Sequence, residues 1–284
     1  MAGTLCLAGL VACAPSAAPL AQAPPQSGVQ TALTGPVPLV LGETFAIDSH
    51  VLRERRVINV YLPPDYRRGS QRYPVLYMPD GGVAEDFPHI TGLIDVSIKN
   101  QVVVPRLVIG IENTERRRDL VGPTTVASER EAAPHAGGSE RFRRFLRDEL
   151  KPYVAAHYRI TAESAIVGES LAGLFVLETL LDEPTLFDTY IAIDPSVWWN
   201  QQAVVRGATE HLAGWTAGAR TLFLSTADAK EMQDGAELLI SAMRTVRPNG
   251  LVWHYLPLPD EHHRTIYPVA ALKAFRTLWP APPP

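Results

Sequence analysis

Cysteine is almost missing from this 284-residue chain, which has only Cys6 and Cys13. Both precede the region where strand and helix patterns begin. The folded body is therefore expected to contain no disulfide, no thiol nucleophile and no cysteine-based metal site. Its stability must come from packing of an apolar core, and 46% of the residues are hydrophobic, which suits a soluble globular protein.

The chain also lacks an excess of positive charge. The formal net charge is −4, and no stretch of lysine and arginine is interleaved with aromatic residues. These features argue against nucleic acid as a partner. No internal repeat and no second apolar region is evident, so the sequence predicts a single domain.

Charge of either sign is absent before Glu43. Residues 5–14 are apolar, too short to span a bilayer as a mature helix, and typical of the hydrophobic part of a signal peptide. Residues 10–13, Leu-Val-Ala-Cys, are similar to a bacterial lipobox, in which the cysteine (here Cys13) is lipidated. We therefore predict a signal and lipoprotein-like segment with an Ala/Pro-rich tether over residues 1–41, and a folded domain over residues 42–284. The expected location is the bacterial periplasm, free or anchored to a membrane only through lipid.

Strand and helix patterns alternate through the rest of the chain. Alternation of apolar and polar residues predicts an opening antiparallel pair of strands, and later apolar runs predict strands buried on both faces. The predicted strands are 44–47, 57–62, 74–78, 107–111, 165–167, 190–193, 221–225 and 252–256; the predicted helices are 90–99, 139–157, 171–181, 231–246 and 266–278. This order indicates an α/β fold with a mainly parallel twisted sheet and helices on both faces.

The most specific motif lies at residues 166–175, Ile-Val-Gly-Glu-Ser-Leu-Ala-Gly-Leu-Phe. An apolar strand enters a Gly-x-Ser-x-small turn and an apolar helix leaves it, which is the arrangement of a nucleophile elbow in α/β-hydrolases. Gly168 fits because the turn has no room for a Cβ there, and Ala172 replaces the usual second glycine. The motif predicts that Ser170 is a catalytic nucleophile; the alternative is a serine that only caps the helix.

A serine nucleophile needs a base, and two adjacent histidines are candidates. His262 and His263 follow the last predicted strand and precede the last helix, where this fold supplies its histidine. Local rules alone do not decide between them. His211 and His254 are interpreted as surface or core residues, because His254 lies within a strand and His211 in a helical or linker segment.

The acid of the triad is expected just after the strand at 221–225. Asp228 is the nearest candidate and Glu231 is the alternative. Either residue could instead stabilise the start of the next helix. If neither contacts the histidine, the site is a Ser–His dyad, which is the third interpretation.

Two backbone N–H groups are predicted to form the oxyanion hole. One belongs to Leu171, the residue after the nucleophile, and the other to the loop after the strand at 74–78. We predict that Gly82 in that loop supplies the second N–H, since a glycine allows its N–H to face the site with no side chain in the way.

Other residues are candidates for substrate binding. Trp198 and Trp199 follow the carboxyl end of a predicted strand and could line the pocket, although core packing is an equal interpretation. Arg118, in the run of residues 116–118, could clamp an anionic group, although such runs are more often solvated loops.

Several segments match one family pattern: residues 60–64, 73–77 with Asp80-Gly81, 108–113, 118–120, the elbow, 194–199 and the loop of His262. With these segments, from about residue 45 to residue 278, the chain resembles an esterase family of α/β-hydrolases that contains esterase D and the siderophore trilactone esterases. In that family a histidine is typically followed six residues later by proline, and Pro268 has this spacing from His262. The resemblance therefore favours His262 as the base.

Together, these features predict a serine carboxylester hydrolase that acts through an acyl-enzyme on a small to medium ester, such as a siderophore-type ester. No metal or organic cofactor is expected. The alternatives are an acyltransferase with the same triad and a non-catalytic envelope protein that binds a ligand.

Overall fold

The computed structural model describes residues 35–36 and 39–282, so the predicted leader and Cys13 lie outside the described residues. From Val40 onward these residues form one compact unit. Eight strands of the described chain form one sheet in the order β1-β2-β4-β3-β5-β6-β7-β8. The strands are β1 Glu43–Ser49, β2 Glu54–Tyr61, β3 Tyr73–Pro79, β4 Leu107–Ile111, β5 Ile160–Glu169, β6 Thr189–Ile193, β7 Arg220–Thr226 and β8 Leu251–Pro257.

Strand β2 runs antiparallel to both β1 and β4, whereas all pairs from β4 to β8 are parallel. The prediction of a mainly parallel sheet that opens with an antiparallel pair is confirmed. The carboxyl ends of the parallel strands lie at one edge, which is where ligands bind in such sheets. Ser170, Asp194 and Ala227 follow β5, β6 and β7 at that edge.

Helices cover the sheet on both sides and bury two apolar layers. Helices α1 and α9 share one layer with Leu76 and Val167, and α4 to α8 share the other with Tyr77 and Ile166. These strand residues alternate between layers because successive side chains of a strand point to opposite faces. The helices are α1 Phe87–Lys99, α2 Arg116–Asp119, α3 Ala127–Ala132, α4 Ser139–Phe145, α5 Lys151–His157, α6 Leu171–Asp182, α7 Trp199–Ala213, α8 Lys230–Val246 and α9 Ile266–Leu278, with a π-helical turn Leu146–Leu150 between α4 and α5.

The predicted strands and helices all appear, with ends that differ by a few residues. Sequence patterns did not predict α7, α2 or α3. Helix α7 is irregular at its start, where Asn200, Gln201 and Gln202 have positive φ. Helices α2 and α3 have only four and six residues and are too short to show an amphipathic repeat. No helix of the described chain is long and apolar enough to cross a membrane.

Candidate active site

Ser170 occupies a strained turn between β5 and α6. Its φ is 61° and its ψ is −122°, which a residue with a side chain adopts only where the surrounding structure enforces it. The Ser170 N–H donates to the carbonyl of Ile193 at 3.1 Å, which ties the turn to the neighbouring strand. A Cβ on Gly168 would lie 2.5 Å from the carbonyl carbon of Ala172. The turn therefore has the geometry of a nucleophile elbow, and the helix-cap alternative does not account for it.

His263 is the histidine that faces Ser170. It lies in the loop between β8 and α9, with Nε2 3.1 Å from Ser170 Oγ and Nδ1 2.6 Å from Asp194 Oδ2. The side chain of Asp194 is fully buried, and its Oδ1 accepts the N–H of Ala227 at 2.9 Å. The hydrogen bond to Asp194 raises the pKa of His263 above its usual value, against the opposing effect of partial burial.

The structure corrects both the base and the acid expected from sequence. His262 points away from Ser170: its side chain is 74% exposed, and its Nδ1 lies 2.6 Å from Asp228 Oδ2. The His262 N–H donates to Thr265 Oγ1 and its carbonyl accepts the N–H of Thr265. This tight turn directs two consecutive side chains to opposite sides. Glu231, the alternative acid, lies in the first turn of α8.

A sequence signal for Asp194 was present. Residue 194 directly follows the predicted strand at 190–193, and β6 is the immediate neighbour of β5. An acid placed there can reach a histidine above Ser170. The expectation that the acid follows β7 led instead to Asp228.

The two residues predicted to supply oxyanion donors lie in different environments. Leu171 is the first residue of α6, and the first N–H groups of a helix have no acceptor within it. Gly82, by contrast, donates its N–H to Glu85 Oε2 at 2.7 Å, and the N–H of Gly81 donates to the carbonyl of Ile111. The structure therefore does not present the Gly82 N–H to Ser170, because the Glu85 carboxylate folds back onto it.

Glu169, beside the nucleophile, is a further polar group of the site. Its Oε1 lies 3.3 Å from His263 Nε2 and its side chain is 16% exposed. Burial raises the pKa of Glu169 to about 7, although His263 and Arg116 oppose the rise. Both ring nitrogens of His263 thus lie close to carboxylates. Sequence analysis assigned no role to Glu169.

Ser170 and His263 line two different clefts. The smaller, the Trp cleft, has a volume of about 290 Å³ and contains Ser170 and Leu171. The larger, the Tyr267 cleft, has a volume of about 640 Å³ and contains His263. The other residues that line the Trp cleft are Arg116, Arg117, Ser128, Glu129, Ala132, Ser196, Trp198 and Trp199.

The predicted binding residues have different positions relative to these clefts. Trp198 and Trp199 both line the Trp cleft, and Trp199 is also mostly buried, with its Nε1–H donating to the carbonyl of Gly122 at 3.0 Å. Arg118 does not line it. Its guanidinium binds Glu54 and Asp119 at 2.7 Å each, so its donors hold the loop to β2. The arginines that line the cleft are Arg116 and Arg117.

Within the described residues, no group of three or more His, Cys, Asp or Glu side chains is arranged to hold a metal ion.

Comparison with known proteins identifies relatives of this fold and sequence. The family model described as "Putative esterase" matches residues 49–236. Ferri-bacillibactin esterase BesA of Bacillus subtilis is 29% identical over 248 residues, which cover 78% of this chain and 85% of that protein. The siderophore triacetylfusarinine C esterase of Aspergillus fumigatus is 28% identical over 194 residues, covering 61% and 62% of the two chains.

Solved structures show the same architecture. An IroE-like serine hydrolase from Shewanella oneidensis superposes with a TM-score of 0.78 at 24% identity, covering 84% of this chain and 80% of that one. The BES protein of Bacillus cereus gives a TM-score of 0.74 at 22% identity, covering 87% and 97%. At these identities the likeness shows the α/β-hydrolase fold.

Proposed function

This chain belongs to the Putative esterase family of carboxylic ester hydrolases, and we propose that it hydrolyses its ester through a Ser170–His263–Asp194 triad. The observation that carries the proposal is the continuous hydrogen-bonded line from Ser170 Oγ to His263 to Asp194, at 3.1 Å and 2.6 Å. A nucleophile bonded to a base that a third group orients is the arrangement that activates a serine.

The reaction follows from this geometry. Ser170 Oγ attacks the ester carbonyl while His263 Nε2 accepts its proton, and Asp194 stabilises the imidazolium that forms. The Leu171 N–H donates to the carbonyl oxygen as it becomes negative. His263 then returns the proton to the leaving alcohol, and water hydrolyses the acyl-enzyme by the same steps.

We further propose that the substrate is a siderophore-type ester. Among the relatives named above, the Aspergillus fumigatus protein is described as a siderophore esterase and the Bacillus subtilis protein as an esterase of ferri-bacillibactin. The guanidinium of Arg116 in the Trp cleft is held by Asp80 at 2.7 and 2.8 Å. Trp198 and Trp199 offer aromatic surfaces beside Ser170, and the exposed Arg117 offers a guanidinium group, which supports this substrate class. Such a lining suits an acyl half that carries aromatic or anionic groups.

The nucleophile is tested by Ser170→Ala. Loss of a serine nucleophile lowers kcat by on the order of 10⁴–10⁶. The variant should fold like the wild type because only the hydroxyl group is removed. A fluorophosphonate probe should label the wild type on the peptide that contains Ser170. Ester hydrolysis within tenfold of the wild type by folded Ser170→Ala would refute the proposal.

The substrate class is tested by comparing ferric and iron-free siderophore triesters with simple aryl and alkyl esters, each measured as kcat/KM. A preference for the siderophore esters is the expected result. Equal or better activity on simple esters would leave a general esterase as the correct description.

We also propose that the protein is exported and anchored through lipid on Cys13. The support is the uncharged start of the chain and the Leu-Val-Ala-Cys sequence at residues 10–13. In a bacterial host the full chain should partition with membranes and incorporate labelled fatty acid, and Cys13→Ala should abolish the labelling. Recovery of unlabelled wild type that retains Met1 would contradict the proposal.

A further inference from the structure

Trp199 contributes to the lining of two separate spaces. One is the Trp cleft beside Ser170. The other, the Arg143 cavity, has a volume of about 430 Å³ and is lined in part by Arg143, Gly122 and Asp182. Among the described residues, Trp199 is the only one that lines both spaces. It therefore lies where the cleft and the cavity adjoin.

The contacts of the Trp199 indole place it between the two spaces. Its Nε1–H donates to the carbonyl of Gly122 at 3.0 Å, and Gly122 lines the Arg143 cavity. The ring centroids of Trp199 and Trp198 are 6.0 Å apart, and Trp198 lines the Trp cleft. Trp199 as a whole is only 4% exposed. The indole is thus a partition between the cleft and the cavity rather than a surface group.

This partition lies at the buried end of the Trp cleft, close to the nucleophile. Ser196 Oγ is 3.3 Å from Ser170 Oγ, and the Ser196 carbonyl accepts the backbone N–H of Trp199 at 3.2 Å. Ser196 and Leu171 are buried. The exposed residues of the lining are Arg117, Ser128 and Ala132. The cleft is therefore open to solvent on the side of α3 and closed at its inner end by Trp199.

We propose that Trp199 determines the acyl specificity of the enzyme. It closes the acyl site, so that esters of compact acids are accepted and those whose acyl group would extend into the Arg143 cavity are rejected. The ester carbonyl must contact Ser170 and the N–H of Leu171, which both line the Trp cleft, and the acyl substituent extends from that carbonyl. This inference rests on the proposed function of Ser170 and adds to it the size class of the acyl group.

Hydrogen bonds from helix α6 hold the partition in place. Glu178 on α6 is 7% exposed, and its Oε1 accepts the N–H of Gly122 at 3.1 Å. The carbonyl of the same glycine accepts the indole N–H of Trp199. Because α6 begins at Leu171, the partition and the proposed oxyanion donor are anchored to one helix. An acyl group that displaced the indole would have to break its hydrogen bond, which is unfavourable.

The Arg143 cavity can receive an acyl chain once the indole is removed. Its volume is larger than the 290 Å³ of the Trp cleft. Its charged groups pair with each other, as Arg143 does with Asp182 at 2.9 Å. Pro123, Leu181 and Val204 give it apolar surface. A phenyl or alkyl end that reaches this cavity would therefore bury apolar area.

The test compares p-nitrophenyl 3-phenylpropanoate with p-nitrophenyl 7-phenylheptanoate, each measured as kcat/KM. The two esters share the leaving group and have saturated chains next to the carbonyl, so their ratio reports on acyl length. The wild type should favour the shorter ester by about tenfold or more, because a misfit of even one methylene in a closed pocket has an effect of this size. Trp199→Ala should bring the ratio toward one by increasing kcat/KM for the longer ester.

Two further variants locate the effect. Trp215→Ala, the matched control, removes an indole that also donates to a backbone carbonyl, that of Gly218, but lines neither the cleft nor the cavity. It should keep the wild-type ratio. Ala203 lines the Arg143 cavity, so adding Ala203→Phe to Trp199→Ala should fill the opened space and restore the preference for the shorter ester. Trp199→Leu, which keeps an apolar side chain, serves if Trp199→Ala does not fold.

A wild-type ratio near one, or a ratio that Trp199→Ala and Trp199→Leu both leave unchanged, would overturn the inference. So would a change confined to acetate esters of 3-phenylpropan-1-ol and 7-phenylheptan-1-ol, because the Trp cleft would then bind the alcohol half. If Ser170→Ala abolishes hydrolysis in either case, the triad stands and only the role of Trp199 is wrong. If folded Ser170→Ala retains hydrolysis, the triad itself is wrong.

Discussion

Two histidine–aspartate pairs lie side by side in this protein, and their hydrogen bonds are equally short. His263 binds Asp194 and His262 binds Asp228, each with 2.6 Å between Nδ1 and a carboxylate oxygen. The two histidines are consecutive in the chain. A short His–Asp bond is therefore not sufficient to identify a catalytic pair.

The pairs differ in burial and in what the second imidazole nitrogen faces. Asp194 is completely buried, whereas the side chain of Asp228 is 42% exposed. His263 Nε2 faces Ser170 Oγ, while His262 is 74% exposed to solvent. A buried carboxylate interacts with an imidazolium through a lower effective dielectric than an exposed one. The inner pair, His263–Asp194, can therefore stabilise charge during the reaction, whereas the outer pair, His262–Asp228, is largely screened by water.

Replacing each histidine by alanine should give the largest difference in kcat between the two pairs. His263→Ala should lower kcat by on the order of 10⁴–10⁶, the loss typical of a triad base, whereas His262→Ala should stay within about threefold of the wild type because an exposed residue outside the site contributes little to transition-state binding. Steady-state kinetics on one ester measures both. A larger loss in His262→Ala would reverse the assignment of the base.

Replacing each aspartate by asparagine should give the next largest difference in kcat. Asp194→Asn should lower kcat by about 10⁴-fold, because an amide at this position favours the wrong imidazole tautomer. Without the Asp194 charge the pKa of His263 should also fall, so the acid limb of kcat/KM should move to lower pH. Asp228→Asn should do neither. Equal losses in the two variants would show that the outer pair takes part in the reaction.

The pH profile sharpens the comparison further. His263 must be neutral to accept the serine proton, so activity should fall as pH falls through its pKa, which the hydrogen bond to Asp194 raises above the ordinary value for histidine. The Glu169 carboxylate favours the imidazolium, and Glu169→Gln should therefore move this limb to lower pH. The pH dependence of kcat/KM from pH 5 to 9 measures the shift. An unchanged or higher midpoint would show that Glu169 does not act on His263.

The smallest expected effect concerns stability. Exposed ion pairs contribute about 0–1 kcal/mol, so Asp228→Ala should change the free energy of unfolding in urea by no more than that. The inner pair also differs here, because Asp194→Ala would leave the buried N–H of Ala227 without its acceptor, a loss of about 1–3 kcal/mol. Equal urea midpoints for the two variants would contradict this difference in burial.

Local sequence patterns carried enough information for the fold and for the strained turn that holds Ser170. Alternating and continuous apolar runs predicted the strands of the sheet, since the period of two and burial on both faces depend on nearest neighbours in the chain. The elbow at Ser170 was predictable because the steric demands of its turn act within a few residues, as Gly168 and Ala172 show.

The choice of base and acid depended on contacts between distant segments. His262 and His263 are separated by 34 and 69 positions from their partners Asp228 and Asp194, and the turn at Thr265 decides which of them faces Ser170. The state of the Gly82 N–H likewise depends on where the side chain of Glu85 folds. The sequence by itself determined the sheet, its connections and the serine at its edge, because those features follow from local periodicity and backbone sterics. Only the tertiary structure decided which histidine, which aspartate and which cleft meet that serine, because side-chain direction in a loop is set by packing against strands far away in the chain.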